Sequence, residues 1–429
     1  MSWLPALRRW PLWLPVAVGV AIRIAWVLSG GFEPVSESGF YHQHAIDLAA
    51  GEGYVHPQTG APSAFLPPGY SLLLAPFYAL LGPSTHVAGV LNALLAGASI
   101  CGVYVLARGL FGGRAALTAG WMLALFPSQV LYASAVHSDH LFAALVPWVL
   151  AAGLVVRRHD WSAWWPPVLA GLLLGVAALT AATALLLLPA LVIGWMFLLP
   201  RRAVFRRAGV AAVVAVAVLA PWTARNYVQL DAFVPISTNG GPNLWIGNNA
   251  GAGYGWMPWG DSDWTYPEDE VATDRDLRDD ALRYMARNPL ESLGRWPGKL
   301  RHTFMQDYSY VEHFSLAPRV EEMPPGMNGA LLHWIADRYY FAVLLLAACG
   351  ALAPATRRQA LPLVVATLAL TLPTVVFFGL DRYHVPLLPI AVMPAGAALA
   401  AIWRPVRWPN AVGPRPAGSG AALLRSESD

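Results

Sequence analysis

Charge is what this sequence has least of. Asp, Glu, Lys and Arg make up 12% of its 429 residues, about half the ~25% of an ordinary soluble domain. A water-soluble surface of that extent needs more charge. Lysine is nearly missing: Lys299 stands alone among the arginines. Cysteine is confined to Cys101 and Cys349, both in apolar runs, which argues against a disulfide framework or a thiolate metal site. The net charge of +3 gives no reason to expect nucleic acid. What remains is apolar: 56% hydrophobic residues, with 19 Trp and 36 Pro. Disordered chains lack such content, so the composition reads as a polytopic membrane protein.

A bilayer core takes ~20 apolar residues per helix. About ten segments approach this: 11–29, 84–107, 115–131, 139–156, 166–181, 183–200, 208–224, 338–353, 359–379 and 384–403. Pro68–Gly82 is apolar but short, and reads as a re-entrant or interfacial helix. Basic residues near span ends mark the cytoplasmic side. Arg8, Arg9, Arg108, Arg114, Arg157, Arg158, Arg201, Arg202, Arg206, Arg207, Arg357, Arg358, Arg404 and Arg407 fall at every second connection. Ten spans with both termini inside follow from that alternation. No small-residue cleavage site follows the first apolar run, which reads as an uncleaved helix. The expected organisation is a membrane module over 1–224 including a first outer loop 30–83, an outer loop domain over 225–337, membrane helices over 338–405, and a disordered cytoplasmic tail over 406–429. Polar residues gather on one side of the membrane, which favours an outward-facing enzyme or binding surface over a transporter with mid-membrane sites.

The first outer loop opens with Ser36-Glu37-Ser38-Gly39-Phe40-Tyr41-His42. Ser36 suits a helix N-cap and Gly51 or Gly53 a helix end. Tyr41, Ala45, Leu48 and Ala49 share a face at helical spacing, as in an amphipathic helix lying on the membrane. Glu37 then sits in the first turn, where the helix dipole favours its ionised form. Plain charge complementarity and a catalytic carboxylate both explain it. The paired prolines of Phe65-Leu66-Pro67-Pro68-Gly69-Tyr70 impose an extended approach to the next helix.

These pieces in this order resemble a known family. The run of Glu37, Tyr41, Ala45-x-x-Leu48-x-x-Gly51-x-Gly53-Tyr54 and Phe65-x-Pro67-Pro68-Gly69-Tyr70 is similar to the bacterial, family-39 branch of the GT-C glycosyltransferases, related to protein mannosyltransferases and the aminoarabinose transferase of lipid A. Pro221-Trp222-Thr223-Ala224-Arg225-Asn226-Tyr227, Ser237-Thr238-Asn239-Gly240-Gly241, Asn243-Leu244-Trp245-Ile246-Gly247-Asn248-Asn249 and Arg382-Tyr383-His384-Val385-Pro386 agree with it.

The resemblance implies a GT-C-like bundle in the bacterial inner membrane with an outward active site. It implies transfer of a sugar from a polyprenyl-phosphate carrier to a glycolipid, glycan or protein acceptor. The family's first-loop acid is usually Asp, and Glu37 fills that place as base or acceptor-orienting group. Asp139, in His137-Ser138-Asp139-His140, fits the family's second acidic position. His and carboxylate are normal divalent-metal ligands, so Glu37, His137, Asp139 and His140 are candidate ligands. Against this, neighbours on a helix point in different directions. No other cofactor is implied. Arg225 and Arg382 are expected at the carrier phosphate, with snorkelling to headgroups as the plain alternative. Arg23, ionisable inside the first span, is a functional candidate by default. Lys299 and Arg301 are further candidates for the carrier headgroup. Tyr41, His42, Tyr70, Asn239, Asn243, Tyr383 and His384 are candidate substrate contacts. Trp256, Trp259 and Trp264 fit either a sugar-stacking face or an interfacial belt. One departure stands out: where the family commonly has Arg-Pro, this chain has Ala181-Ala182. The rival readings are a lipid-linked-sugar flippase, an O-antigen ligase or polymerase, and an inactive scaffold.

Overall fold

The computed structural model describes residues 12–30, 32–154, 163–258, 266–316 and 329–402. Arg8, Arg9, Arg157, Arg158, Trp259, Trp264, Arg404, Arg407 and the tail 406–429 lie outside them. Among the described residues there is no β-strand, only an isolated bridge between Val55 and Pro62. The described residues are all-α, as the long apolar runs imply.

Among the described residues, every one of the apolar segments is helical. In chain order the helices are α1 (Trp13–Leu28), α2 (Glu37–Ala50), α3 (Gly69–Leu81), α4 (Thr85–Phe111), α5 (Gly113–Ala124), α6 (Pro127–Leu131), α7 (Asp139–Leu154), α8 (Trp165–Thr180), α9 (Leu187–Leu198) and α10 (Arg201–Leu230). An outer group follows: α11 (Gly240–Gly247), α12 (Glu270–Arg287), α13 (Pro289–Gly294) and α14 (Trp296–Phe304). The last three are α15 (Gly329–Leu352), α16 (Arg357–Val376) and α17 (Leu388–Ile402), the last entered through a 3₁₀ turn, Asp381–Leu387. Among the described residues, five helices are long and apolar enough to cross a membrane, and a bent pair, Gly113–Ala124 with Pro127–Ser134, makes a sixth. The other expected spans are apolar but shorter. The 13-residue α3 reaches about 20 Å at 1.5 Å per residue, too short for a ~30 Å core.

Small residues set the helix contacts. A Cβ at Gly171 of α8 would lie 2.5 Å from the Ala211 carbonyl of α10, and one at Gly175 would lie 2.6 Å from Val218 Cβ. In lipid, where no hydrophobic force joins helices, such close backbone approach provides the attraction. The bend of 54° between α5 and α6 follows from Pro127 at the start of α6. Arg23 secures that break. Its Nη1 donates to the carbonyls of Gly19 (2.9 Å) and Ala124 (2.8 Å), and its Nη2 to Leu123 (3.2 Å). The last carbonyls of α5 are the negative end of its dipole, and a guanidinium there is stabilising.

The outer segments clamp together. Glu270 of α12 accepts from Ser63 Oγ at 2.5 Å and from the Ala64 N–H at 2.7 Å. Arg225 donates to the carbonyls of Ser63 (2.6 Å) and Tyr54 (2.5 Å) and covers the Trp222 ring at 5.0 Å. Two sequence expectations fail locally. Ser36 makes no cap hydrogen bond; its φ is 52°, and its Oγ instead meets His313 Nε2 at 3.0 Å. Gly51 does end α2, with φ 82°. Tyr41 and Ala45 of α2 are buried against neighbouring protein rather than laid on lipid.

The Pro-Pro-Gly turn is seated on the end of α8. A Cβ at Gly69 would stand 2.6 Å from Thr180 Oγ1 and 2.9 Å from the Leu179 carbonyl. Gly69→Val should therefore destabilise the fold by about 1–3 kcal/mol through overpacking. A thermal melt in detergent checks this, and an unchanged midpoint would contradict the contact.

Candidate active site

One cavity of about 800 Å³ opens where the outer loops meet the bundle. Its polar wall combines four distant pieces of chain: the start of α2, the turn before α7, the 309–314 segment and the 3₁₀ turn before α17. These supply Glu37, His137, Asp139, Asp381 and Arg382. Arg382 stands at the centre. Its Nη2 donates to Glu37 Oε2 at 2.5 Å and its Nη1 meets His137 Nε2 at 2.5 Å. The guanidinium lies 5.4 Å from the Phe314 ring centroid, and its Nε has no hydrogen-bond partner. His137 joins the two acids. Its Nε2 is 3.5 Å from Glu37 Oε2, and its Nδ1 is 3.2 Å from Asp139 Oδ2. Tyr132 donates to the same Asp139 oxygen at 3.1 Å.

Electrostatics follow from that arrangement. Burial alone would raise the Glu37 pKa, but the Arg382 charge and His137 outweigh it and hold the carboxyl at about 2. For His137, burial lowers the pKa, whereas the Asp139 carboxylate and hydrogen bonds to both acids raise it above 6.5 on balance. In neutral His137 the Arg382 N–H makes Nε2 an acceptor, while Nδ1 faces both the Asp139 backbone N–H and the Asp139 carboxylate, each at 3.2 Å. Once protonated, its Nε2–H has to turn from Arg382 to Glu37.

The structure gathers Glu37, Tyr41, His137, Asp139, Asn239, Asn243, Arg382 and Tyr383 around this cavity, with Trp256 on its wall. It places the other candidates elsewhere. Arg225 is committed to the loop carbonyls of Ser63 and Tyr54. Arg23 caps α5. Lys299 is buried, donating to Asn248 Oδ1 (3.3 Å) and the Val375 carbonyl (3.2 Å), and Arg301 is exposed. His42 meets Tyr78 Oη at 2.6 Å, and Tyr70 donates to Asn92 Oδ1 at 2.8 Å behind Tyr41. His140 turns onto the Tyr132 ring, 4.7 Å away. His384 faces Asp307 and the Thr303 carbonyl. Among the described residues no three His, Cys, Asp or Glu side chains converge to hold a metal ion. His137 directs its two nitrogens at different carboxylates and His140 points away, so the proposed ligand set does not fit a metal.

Sequence reading missed the segment that roofs the cavity. Asp307, fully buried, accepts from Ser128 Oγ (2.6 Å) and Tyr310 Oη (3.0 Å) and pairs with His384 Nε2 (2.6 Å). Asp381 accepts from the Ser309 N–H at 3.1 Å and from its hydroxyl. These bonds pin Tyr310, His313 and Phe314 over the site. The nearest signal was a cluster of Asp, Tyr and Ser at 307–310 in an otherwise unpatterned stretch.

Comparison with known proteins agrees with this architecture. The family described as dolichyl-phosphate-mannose-protein mannosyltransferase matches residues 66–224. The oligosaccharyltransferase of Archaeoglobus fulgidus, in a complex with zinc and sulfate, superposes with a TM-score of 0.53 at 15% identity, over 91% of this chain and 49% of that one. The archaeal oligosaccharyltransferase AglB of the same organism, with an inhibitory peptide and a dolichol-phosphate, gives 0.53 at 14% identity, over 94% and 51%. ArnT from Cupriavidus metallidurans bound to undecaprenyl phosphate gives 0.46 at 17% identity, over 90% and 77%. No curated protein matches the sequence. The chain has a GT-C-like fold, and it spans about half the length of the archaeal structures.

The raised His137 pKa makes a testable statement about stability. A group with a raised folded-state pKa adds stability that is complete below its unfolded value and lost as pH rises through the folded value. The thermal midpoint of the wild type should thus fall as pH increases above about 6.5, and His137→Gln should flatten part of that slope. Parallel slopes would show that His137 does not titrate as described.

Proposed function

We propose that the chain is a membrane glycosyltransferase that moves a sugar from a polyprenyl-phosphate carrier to the hydroxyl of an extracytoplasmic acceptor. The observation that carries this reading is the convergence of Glu37, His137, Asp139 and Arg382 in one cavity at the membrane ends of the helices, within a GT-C fold. Position supports the outward-facing site. Helix α16 begins with Arg357 and Arg358 and reaches the cavity only through Leu370, Pro373 and Thr374. The site therefore lies at the end away from the basic residues that mark the cytoplasm.

The chemistry is a single displacement. The acceptor oxygen forms a bond to the anomeric carbon as the bond from that carbon to the phosphate oxygen breaks. The electron pair leaves on the lipid phosphate, which Arg382 receives. The acceptor proton passes to Glu37, and Asp139 fixes His137 beside it. Attack opposite the phosphate inverts the anomeric centre. The sugar faces Asn239, Asn243 and Trp256, and the acceptor is a glycolipid, glycan or protein. A flippase needs polar groups along its spans, and here the ionisable cluster sits at one end.

Glu37→Gln should lower sugar transfer by about 100- to 10,000-fold, the usual worth of a positioned general base. A transfer assay with a labelled polyprenyl-phosphate sugar and the purified, monodisperse variant checks this. Near-normal turnover would remove Glu37 from the reaction.

A further inference from the structure

The cavity is short of positive charge for a site that meets a phosphate. Arg382 is the one permanent cation among the described residues that line it, beside three carboxylates, Glu37, Asp139 and Asp381. The other nitrogen bases on its wall are His137 and His313. Arg225 and Lys299 are engaged elsewhere, and Ala181 and Ala182 occupy the lining where an arginine could have stood. That single cation is already taken. Glu37 Oε2 holds its Nη2 at 2.5 Å, and His137 Nε2 holds its Nη1. Only Nε is left unpartnered, on a side chain more than nine-tenths buried. Among the described residues, a phosphate arriving here has no other guanidinium or ammonium on the cavity wall to meet.

We propose that the carrier phosphate binds by partner exchange: it takes Arg382 from Glu37, so that donor binding itself releases the carboxylate for the acceptor. This rests on the glycosyltransferase reading above and adds the control of its site. In the resting protein the guanidinium blocks the acid, and two buried opposite charges offset each other. An incoming phosphate offers the same planar, bidentate recognition that a carboxylate does. The exchange restores a neutral pair and leaves Glu37 facing the open cavity. The carboxylate loses the charge that depressed its basicity, and it regains proton affinity only when the donor is in place. Acceptor activation in the absence of donor is thereby avoided, and substrates add in order, donor before acceptor.

Competition for one cation predicts an unusual sign. Removing the acid should improve binding of the anion while abolishing transfer. The probe is farnesyl phosphate, a short polyprenyl monophosphate, titrated by calorimetry into the full-length protein in detergent. Glu37→Gln should bind it at least tenfold more tightly than wild type. Glu37→Asp, one methylene shorter and a poorer grip on Arg382, should tighten binding to a smaller degree and serves if the Gln variant does not fold. Arg382→Met should lose binding. Equal or weaker binding by both Glu37 variants, with wild type binding normally, would overturn the exchange and leave the glycosyltransferase reading standing. A wild-type protein that binds neither farnesyl phosphate nor a longer polyprenyl phosphate would overturn both.

Discussion

The guanidinium of Arg382 lies buried against the carboxylate of Glu37, 345 positions earlier in the chain. Bringing two charges out of water costs several kcal/mol each, and their mutual attraction offsets this only with good geometry and further hydrogen bonds. The fold supplies both. Helix α2 presents Glu37 in its first turn, the 3₁₀ turn before α17 presents Arg382, and His137 fills the space between them. Removing either charge alone strands the other, at a cost of about 3–5 kcal/mol. The outer loops and the membrane bundle are thus coupled through the same atoms that the chemistry uses.

The surrounding structure serves to hold this pair in register. Arg225 and Glu270 both grip Ser63, and each also holds a neighbouring piece of the first loop, Arg225 the Tyr54 carbonyl and Glu270 the Ala64 N–H. Asp307 and Asp381 fix the roof segment from below. Arg23 secures the break between α5 and α6, the bent pair that leads toward the turn carrying His137. Each of these buried ionic groups is satisfied mainly by backbone or hydroxyl partners, which suits positioning rather than catalysis. The left-handed backbone at Ser36 belongs with them. A non-glycine residue at φ 52° immediately before Glu37 is strain of the kind that concentrates at functional sites.

Much of this was legible in the sequence. The helical class followed from the shortage of charge and from the apolar runs. Glu37 was readable because it stands in the first turn of a helix beside a span, and Asp139 and Arg382 because their positions match the family that the sequence resembles. The failures have a common physical origin. In sequence a basic residue looks the same whether it meets a ligand, a headgroup or a carbonyl, and Arg225, Arg23 and Lys299 proved to be bound to carbonyls. Within the 3₁₀ turn, Arg382 and His384 are two residues apart and point to different sides. His140 diverges from His137 in the same way. The roof segment has neither helical nor alternating pattern, so its role through Asp307 depends on long-range contacts that no local spacing announces.

On the proposed exchange, one guanidinium is shared in turn by the resident acid and the arriving phosphate. An experimental structure of the protein with a bound polyprenyl phosphate tests it most directly. Partner exchange requires the phosphate oxygens on Arg382, with the Glu37 carboxylate separated from that guanidinium and turned into the cavity. A phosphate held elsewhere, with Glu37 and Arg382 still paired, would contradict it.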